Sequence, residues 1–208
     1  MSSTESQKLP SALQELLPAP LQLACTSLQS KRGDRLFAQG KTPQRMFYVA
    51  RGEVVLQRLG VQGGCLVLQR VRQGFVAEAS LQSSSYHCDA VVTSPGDLIA
   101  IPIGSIKKTL LVDPAFAMRW IAMLNQELKR LRAQCERLSL RGVKDRLLHL
   151  VETEGKRGNL PLNAGLKSVA LELGVTHEAL YRTVAELEKQ GVLQRADGQL
   201  KVLSLASV

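Results

Sequence analysis

Cysteine is scarce in this 208-residue sequence: Cys25, Cys65, Cys88 and Cys135 stand far apart, with no C-x-x-C among them. That spacing fits neither a disulfide framework nor a standard zinc site, so small buried thiols are expected. No apolar run approaches the roughly 18 residues that span a bilayer, which argues against a membrane protein. The opening MSSTESQKLP lacks the basic-then-apolar layout of a signal peptide, so the cytoplasm is the expected location. Enzyme signatures are missing as well: there is no nucleophile-base pattern, no phosphate-cradling glycine loop and no metal triad. His149, beside Leu148 and Leu150 in an apolar pattern, reads as a partly exposed structural histidine. No catalytic residue, no metal site and no cofactor are predicted, and the expected class is a non-enzyme.

What is present is positive charge. The formal net charge is +9 with an isoelectric point near 9.7, which suits a polyanionic partner. The surplus is spread along the chain, so individual side chains have to carry any argument about nucleic acid.

The stretch GVTHEALYRTVAELEKQG, residues 174–191, provides them. Leu180, Val184 and Leu187 recur at i, i+4 and i+7 and make one apolar stripe, and Thr176 is a good N-cap. Upstream, Leu166, Val169, Ala170 and Leu173 form a second short stripe, with Gly174 where the chain turns sharply. This is the helix-turn-helix pattern, in which the second helix enters the major groove. Downstream, Val192-Leu193 and Leu200 to Leu203 read as two strands joined at Asp197-Gly198, a hairpin signal that completes a winged helix.

With Leu180, Val184 and Leu187 facing inward, His177, Glu178, Tyr181 and Arg182 share another strip near the helix start, the end that meets base edges. Arginine can donate twice to guanine and glutamate can accept from cytosine, each worth roughly 1–3 kcal/mol of discrimination. A structural reading competes: a first-turn glutamate favours the helix dipole, and Glu178 with Arg182 would make an ordinary i,i+4 ion pair. Lys167, Ser168 and Lys201 are the candidate phosphate contacts.

The first half is a different kind of sequence. Short β-type runs in GDRLFAQGKTPQRMFYVARGEVVL, residues 33–56, are punctuated by Gly33, Gly40 and Gly52, and CLVLQRV follows as another strand. G-D-x-L-F-x-x-G followed by M-F-Y-V-x-x-G-x-V-x-L is similar to the cyclic-nucleotide-binding β-roll of the Crp/Fnr superfamily of bacterial transcription regulators. With the winged helix downstream, the resemblance covers nearly the whole chain. It implies an α+β fold in three parts: an antiparallel β-roll sensor over residues 1–113, a dimerisation helix over 114–138, and a winged helix-turn-helix over 139–208. It also implies a homodimer on double-stranded DNA, palindromic half-sites with a TGA-like core, and contact with RNA polymerase.

The family's cyclic-AMP site is not intact. The resemblance implies a Gly-Glu pair and, ten residues after the Glu, an Arg-Ser pair that grips the cyclic phosphate. Here Ala77 precedes Glu78, and Cys88-Asp89 stand where Arg-Ser would be. Exchanging a cation for a carboxylate repels a phosphate, so an effector pocket at Glu78, Cys88 and Asp89 is expected to take a small molecule other than cyclic AMP. A metal or haem reading of His87-Cys88 is disfavoured, because adjacent strand residues face opposite sides.

After Asp113-Pro114, Ile121, Leu124, Leu128, Leu131, Cys135 and Leu138 follow heptad steps and form the expected dimer seam, with Glu127, Lys129, Arg130, Arg132, Glu136 and Arg137 on the other faces. Trp120, Ile121, Met123 and Leu124 are candidates for packing on the β-roll instead. Cys135 would approach its symmetry mate. Residues 139–155 begin the DNA-binding domain, with Leu147, Leu148 and Val151 as its packed face and Gly142 as a hinge. The alternative to a DNA-binding regulator is a nucleotide- or ligand-responsive adaptor whose winged helix contacts protein.

Overall fold

The computed structural model describes residues 9–59, 65–162 and 165–203; residues 1–8, read above for a leader, lie outside them. The chain forms two compact units, Met1–Ala122 and Met123–Val208, and the division falls inside its longest helix.

In the first unit, helices α1 (Ser11–Leu16) and α2 (Ala19–Leu23) precede eight strands: β1 (Thr26–Ser30), β2 (Arg35–Phe37), β3 (Arg45–Val49), β4 (Glu53–Leu59), β5 (Cys65–Val71), β6 (Gly74–Val76), β7 (Asp89–Ser94) and β8 (Gly96–Pro102). They make two four-stranded antiparallel sheets, in the orders β1-β8-β3-β6 and β2-β7-β4-β5. Except for β4 and β5, which pair as neighbours in one sheet, consecutive strands alternate between the sheets, so the chain winds as a roll around the apolar side chains of β3, β4 and β8. Met46, Val49, Val54 and Ile101 are all fully shielded there. Gly96 permits the tightest approach: a Cβ there would stand 2.1 Å from the carbonyl oxygen of Arg51. No side chain fits at that point of the roll.

Helix α3 (Ile103–Val112) leads to α4 (Pro114–Ser139). The carboxylate of Asp113 accepts from the Phe116 backbone N–H at 2.9 Å, which fixes the start of α4 where Asp-Pro indicated it. The first turns of α4 are held by aromatic contacts: Trp120 meets Phe116 at 5.9 Å and Phe75 at 5.3 Å, and Phe75 meets Tyr48 at 5.1 Å. Of the residues considered for packing on the roll, Trp120 is buried, whereas Ile121 and Leu124 are exposed.

The second unit contains α5 (Val143–Glu154), β9 (Asn159–Pro161), α6 (Gly165–Glu172), α7 (His177–Lys189), β10 (Leu193–Ala196) and β11 (Gln199–Val202). One apolar core joins Leu147, Leu150 and Val151 of α5 to Leu166, Val169 and Ala170 of α6 and to Leu180, Val184 and Leu187 of α7. The face of α5 is therefore Leu147-Leu150-Val151; Leu148 sits one position around the helix and is only half-buried.

Two arginines organise this unit. Arg137, grouped above with the solvated residues of α4, is fully buried between Glu154 and Glu172. Arg146 donates to three backbone carbonyls, those of Leu140 (2.8 Å), Leu173 (3.0 Å) and Leu138 (3.4 Å). It thereby satisfies carbonyls left open at the ends of α4 and α6. Gly142 lies beside this strap in an extended conformation, φ −87°, that any residue adopts. His149 is mostly covered, with Nε2 at 3.3 Å from a carboxylate oxygen of Glu136, in keeping with a structural role.

Candidate nucleic-acid interface and effector segment

The helix-turn-helix forms where the two apolar stripes indicated. Gly174 takes φ +65°, a left-handed conformation suited to glycine, and turns the chain from α6 toward α7. The Thr176 hydroxyl then accepts from the Ala179 backbone N–H at 3.2 Å and caps α7. Leu180 and Val184 are completely buried and Leu187 nearly so, which fixes the rotation of α7 about its axis.

That rotation places Glu178, Tyr181 and Arg182 on the exposed side, with His177 half-buried. The rings of His177 and Tyr181 pack at 4.3 Å, one helical turn apart. Among the described residues neither Glu178 nor Arg182 forms a hydrogen bond or ion pair, so the i,i+4 bridge that competed for them is not made. Two charged side chains near the start of α7 are thus left uncommitted.

Lys167 and Ser168 lie on α6, the lysine exposed and the serine half-buried, and Lys201 is exposed on β11. The wing is a three-stranded sheet in the order β10-β11-β9, with Lys201 between Gln194 and Asn159. Its turn at Asp197-Gly198 has positive φ at both positions, +50° and +69°, the geometry of a two-residue hairpin. Strand β9 went unread because three residues of Asn-Leu-Pro are too short for a periodic signal. Also unread was the bidentate pair in which Arg195 of β10 grips Glu188 at 2.7 and 2.9 Å, with its backbone N–H on the same carboxylate at 3.0 Å. The arginine side-chain hydrogen bonds hold the Glu188 carboxyl below its ordinary range, so Arg195 is engaged within the fold.

In the first unit, the segment from Ala77 to Asp89 carries the candidate effector residues. Ala77 adopts φ +76°, ψ 9°, so the left-handed geometry natural to glycine is kept although the residue is alanine. Glu78 opens a short 3-10 turn, Glu78–Ser80. Cys88 is fully buried and the neighbouring His87 exposed; the two stand in a bend just before β7 and not on a strand as expected, yet they face opposite ways. Burial pushes the Cys88 thiol up, Asp89 and Glu78 add to the rise, and Arg58 opposes it. Cys88 therefore lies within electrostatic reach of both Asp89 and Glu78. Arg58 of β4 supplies a nearby cation that the sequence motif did not include, its neighbour Gln57 pairing with Asp89 across the sheet. The Asp89 carboxylate itself accepts from the Gln39 backbone N–H at 2.7 Å. Among the described residues no three His, Cys, Asp or Glu side chains are grouped as a metal set.

Residues 28–112, which span most of the roll, match the cyclic nucleotide-binding domain family. The chain is 23% identical over 169 residues to the global nitrogen regulator of Synechococcus elongatus, covering 79% of this chain and 73% of that protein. A protein of Silicibacter pomeroyi DSS-3, assigned as a cAMP-binding regulatory protein, has the same fold at 25% identity and a TM-score of 0.56, over 93% of this chain and 91% of its own. CooA of Carboxydothermus hydrogenoformans, solved as a double mutant, superposes with a TM-score of 0.66 at 18% identity, over 96% and 93% of the two chains. A cyclic nucleotide-binding roll followed by a winged helix is the architecture of the Crp/Fnr regulator family, and the resemblance read from residues 33–56 is borne out.

Proposed function

We propose that this protein is a homodimeric, sequence-specific DNA-binding transcription regulator of the Crp/Fnr type. The observation that carries the reading is the state of α7: its core face is fully buried, while Glu178 and Arg182, near its start, are exposed and make no bond among the described residues. Arg182 reads a guanine through its two donors, and Glu178 accepts from a cytosine amino group. His177 and Tyr181, whose rings are in tilted contact, set the preference at the flanking positions, while Lys167, Ser168 and Lys201 hold the phosphates. Regulatory function in the Synechococcus and Silicibacter relatives agrees with this assignment.

The dimer follows from α4. Ile121, Leu124, Leu128, Leu131 and Leu138 are between 36% and 48% exposed on the single chain, and Cys135 is exposed beside them. An apolar stripe at heptad spacing is what a second copy of the helix covers. Two copies present two α7 helices to successive major grooves, about 34 Å apart, and therefore read a palindrome. The β-roll senses a small effector other than cyclic AMP through Glu78, Cys88 and Asp89. RNA polymerase is the partner at promoters, and the cytoplasm the place of action. Among the described residues no helix is long and apolar enough to cross a membrane.

The test is selection of bound sequences from a randomised DNA pool, with and without a small-molecule extract of the native cell. A palindromic motif supports the regulator, and dependence on extract supports the effector. Failure to recover any motif in either condition would transfer the role of the winged helix to protein contacts.

A further inference from the structure

A cleft of about 510 Å³ opens in the β-roll at the turn between β2 and β3. Its floor is apolar: Phe37, Phe47 and Tyr86 are buried, and the rings of Phe37 and Tyr86 stack at 4.2 Å with planes 15° apart. Its rim is basic: Lys41 and Arg45 are exposed, with Thr42 between them in sequence, and among the described residues no aspartate or glutamate lines the cleft. Among the described residues neither the Lys41 nor the Arg45 side chain forms a hydrogen bond or ion pair.

The loop that carries the rim is rigidly tied. Tyr86 accepts from the Gly40 N–H at 2.9 Å and donates its own N–H to Lys41 at 2.8 Å. Its hydroxyl accepts from the N–H groups of Gln44 and Arg45 and donates to the Arg45 carbonyl at 2.7 Å. Asp89 holds Gln39 in the same loop. A rim fixed in this way loses little freedom when a ligand arrives, and a volume within the 300–1,000 Å³ range suits a small molecule.

We propose that this cleft is a binding site for a small aromatic carboxylate. Lys41 and Arg45 take the carboxylate, two cations without an internal counter-charge facing one anion, and the flat body covers the Phe37-Tyr86 floor. Its lining includes none of Glu78, Cys88 and Asp89, and the proposal does not depend on the DNA-binding reading. Tyr86 nevertheless stands two residues before Cys88, so a ligand on its ring bears on the effector segment.

Calorimetric titration of the full-length protein with 2-naphthoate tests this, with the uncharged 2-naphthylmethanol as control. One saturable site per chain is expected, weakened at least about tenfold by the double substitution K41A/R45A. Circular dichroism and the thermal midpoint check that the double variant folds; if it does not, K41Q and R45Q are titrated singly, and each should weaken binding several-fold. No saturable binding at millimolar concentration, equal binding of the alcohol, or retention of affinity in the lysine and arginine variants would overturn the proposal.

Discussion

The side chain of Arg137 is completely withdrawn from solvent and donates through Nη2 to the Glu154 carboxylate at 2.5 Å, while Nη1 reaches Glu172 at 3.2 Å. A buried cation is tolerable only when it is paired, and here the partners come from two helices of the winged domain. Burial pushes the Glu154 carboxyl above its ordinary value and the like charge of Glu172 adds to the rise, against the opposing pull of Arg137 and Arg130.

Replacing Arg137 with alanine is expected to cost about 3 kcal/mol at pH 7, measured by urea unfolding, because two half-covered carboxylates lose their counter-charge. The cost should shrink on acidification. The Glu154 carboxyl is raised in the folded state, so its contribution is most favourable below the unfolded value and is lost as pH rises through the folded one. With the arginine gone that rise grows, and the variant gains relative to the parent between pH 7 and pH 4. A penalty that stays constant over this interval would take the carboxylates out of the explanation.

Alanine at Arg182 should weaken binding to the selected operator by about 1–3 kcal/mol and leave binding to random DNA nearly unchanged. Competition gel shifts at fixed salt distinguish the two. Equal losses on both DNAs would make Arg182 a phosphate contact. The thermal midpoint should not move, since the side chain is exposed and has no internal partner among the described residues.

How much could be read beforehand differs between elements for physical reasons. Leu180, Val184 and Leu187 announced α7 because the helical period lines them up, and Asp197-Gly198 announced the wing because only a few residue pairs accept positive φ twice in succession. Arg137 could not be read, since an arginine among Glu136 and Leu138 looks like any solvated position until Glu154 and Glu172 arrive from 17 and 35 residues away. Tyr86 was equally silent: its value lies in bonds to Lys41, Gln44 and Arg45 that no local pattern encodes. In the effector segment the exchange of Arg-Ser for Cys88-Asp89 was plain, but the compensating Arg58 sits on another strand.

Substituting glutamate for Leu128 and Leu131 should yield monomers in sedimentation velocity, because charges on the apolar seam of α4 repel across the interface. Both leucines are exposed on the single chain, at 46% and 38%, so the unfolding midpoint of the isolated protomer should hardly change. A variant that remains dimeric would place the interface elsewhere.

Ala77 to glycine should stabilise the protein by about 0.5–1 kcal/mol, the relief of a left-handed alanine less the greater freedom of glycine in the unfolded chain. Urea midpoints of the two proteins decide it. Destabilisation would mean that the Ala77 methyl, which is buried, contributes more through packing than its backbone costs.

Because α7 is held by Leu180, Val184 and Leu187, by the Thr176 cap and by the Arg195–Glu188 pair, and among the described residues not by Glu178 or Arg182, the residues at 178 and 182 can be exchanged without endangering the domain. On the proposed assignment of these two residues to base reading, stability and address are inherited separately: a duplicated gene would acquire new target promoters through two codon changes, and an engineer could redirect the protein by the same route.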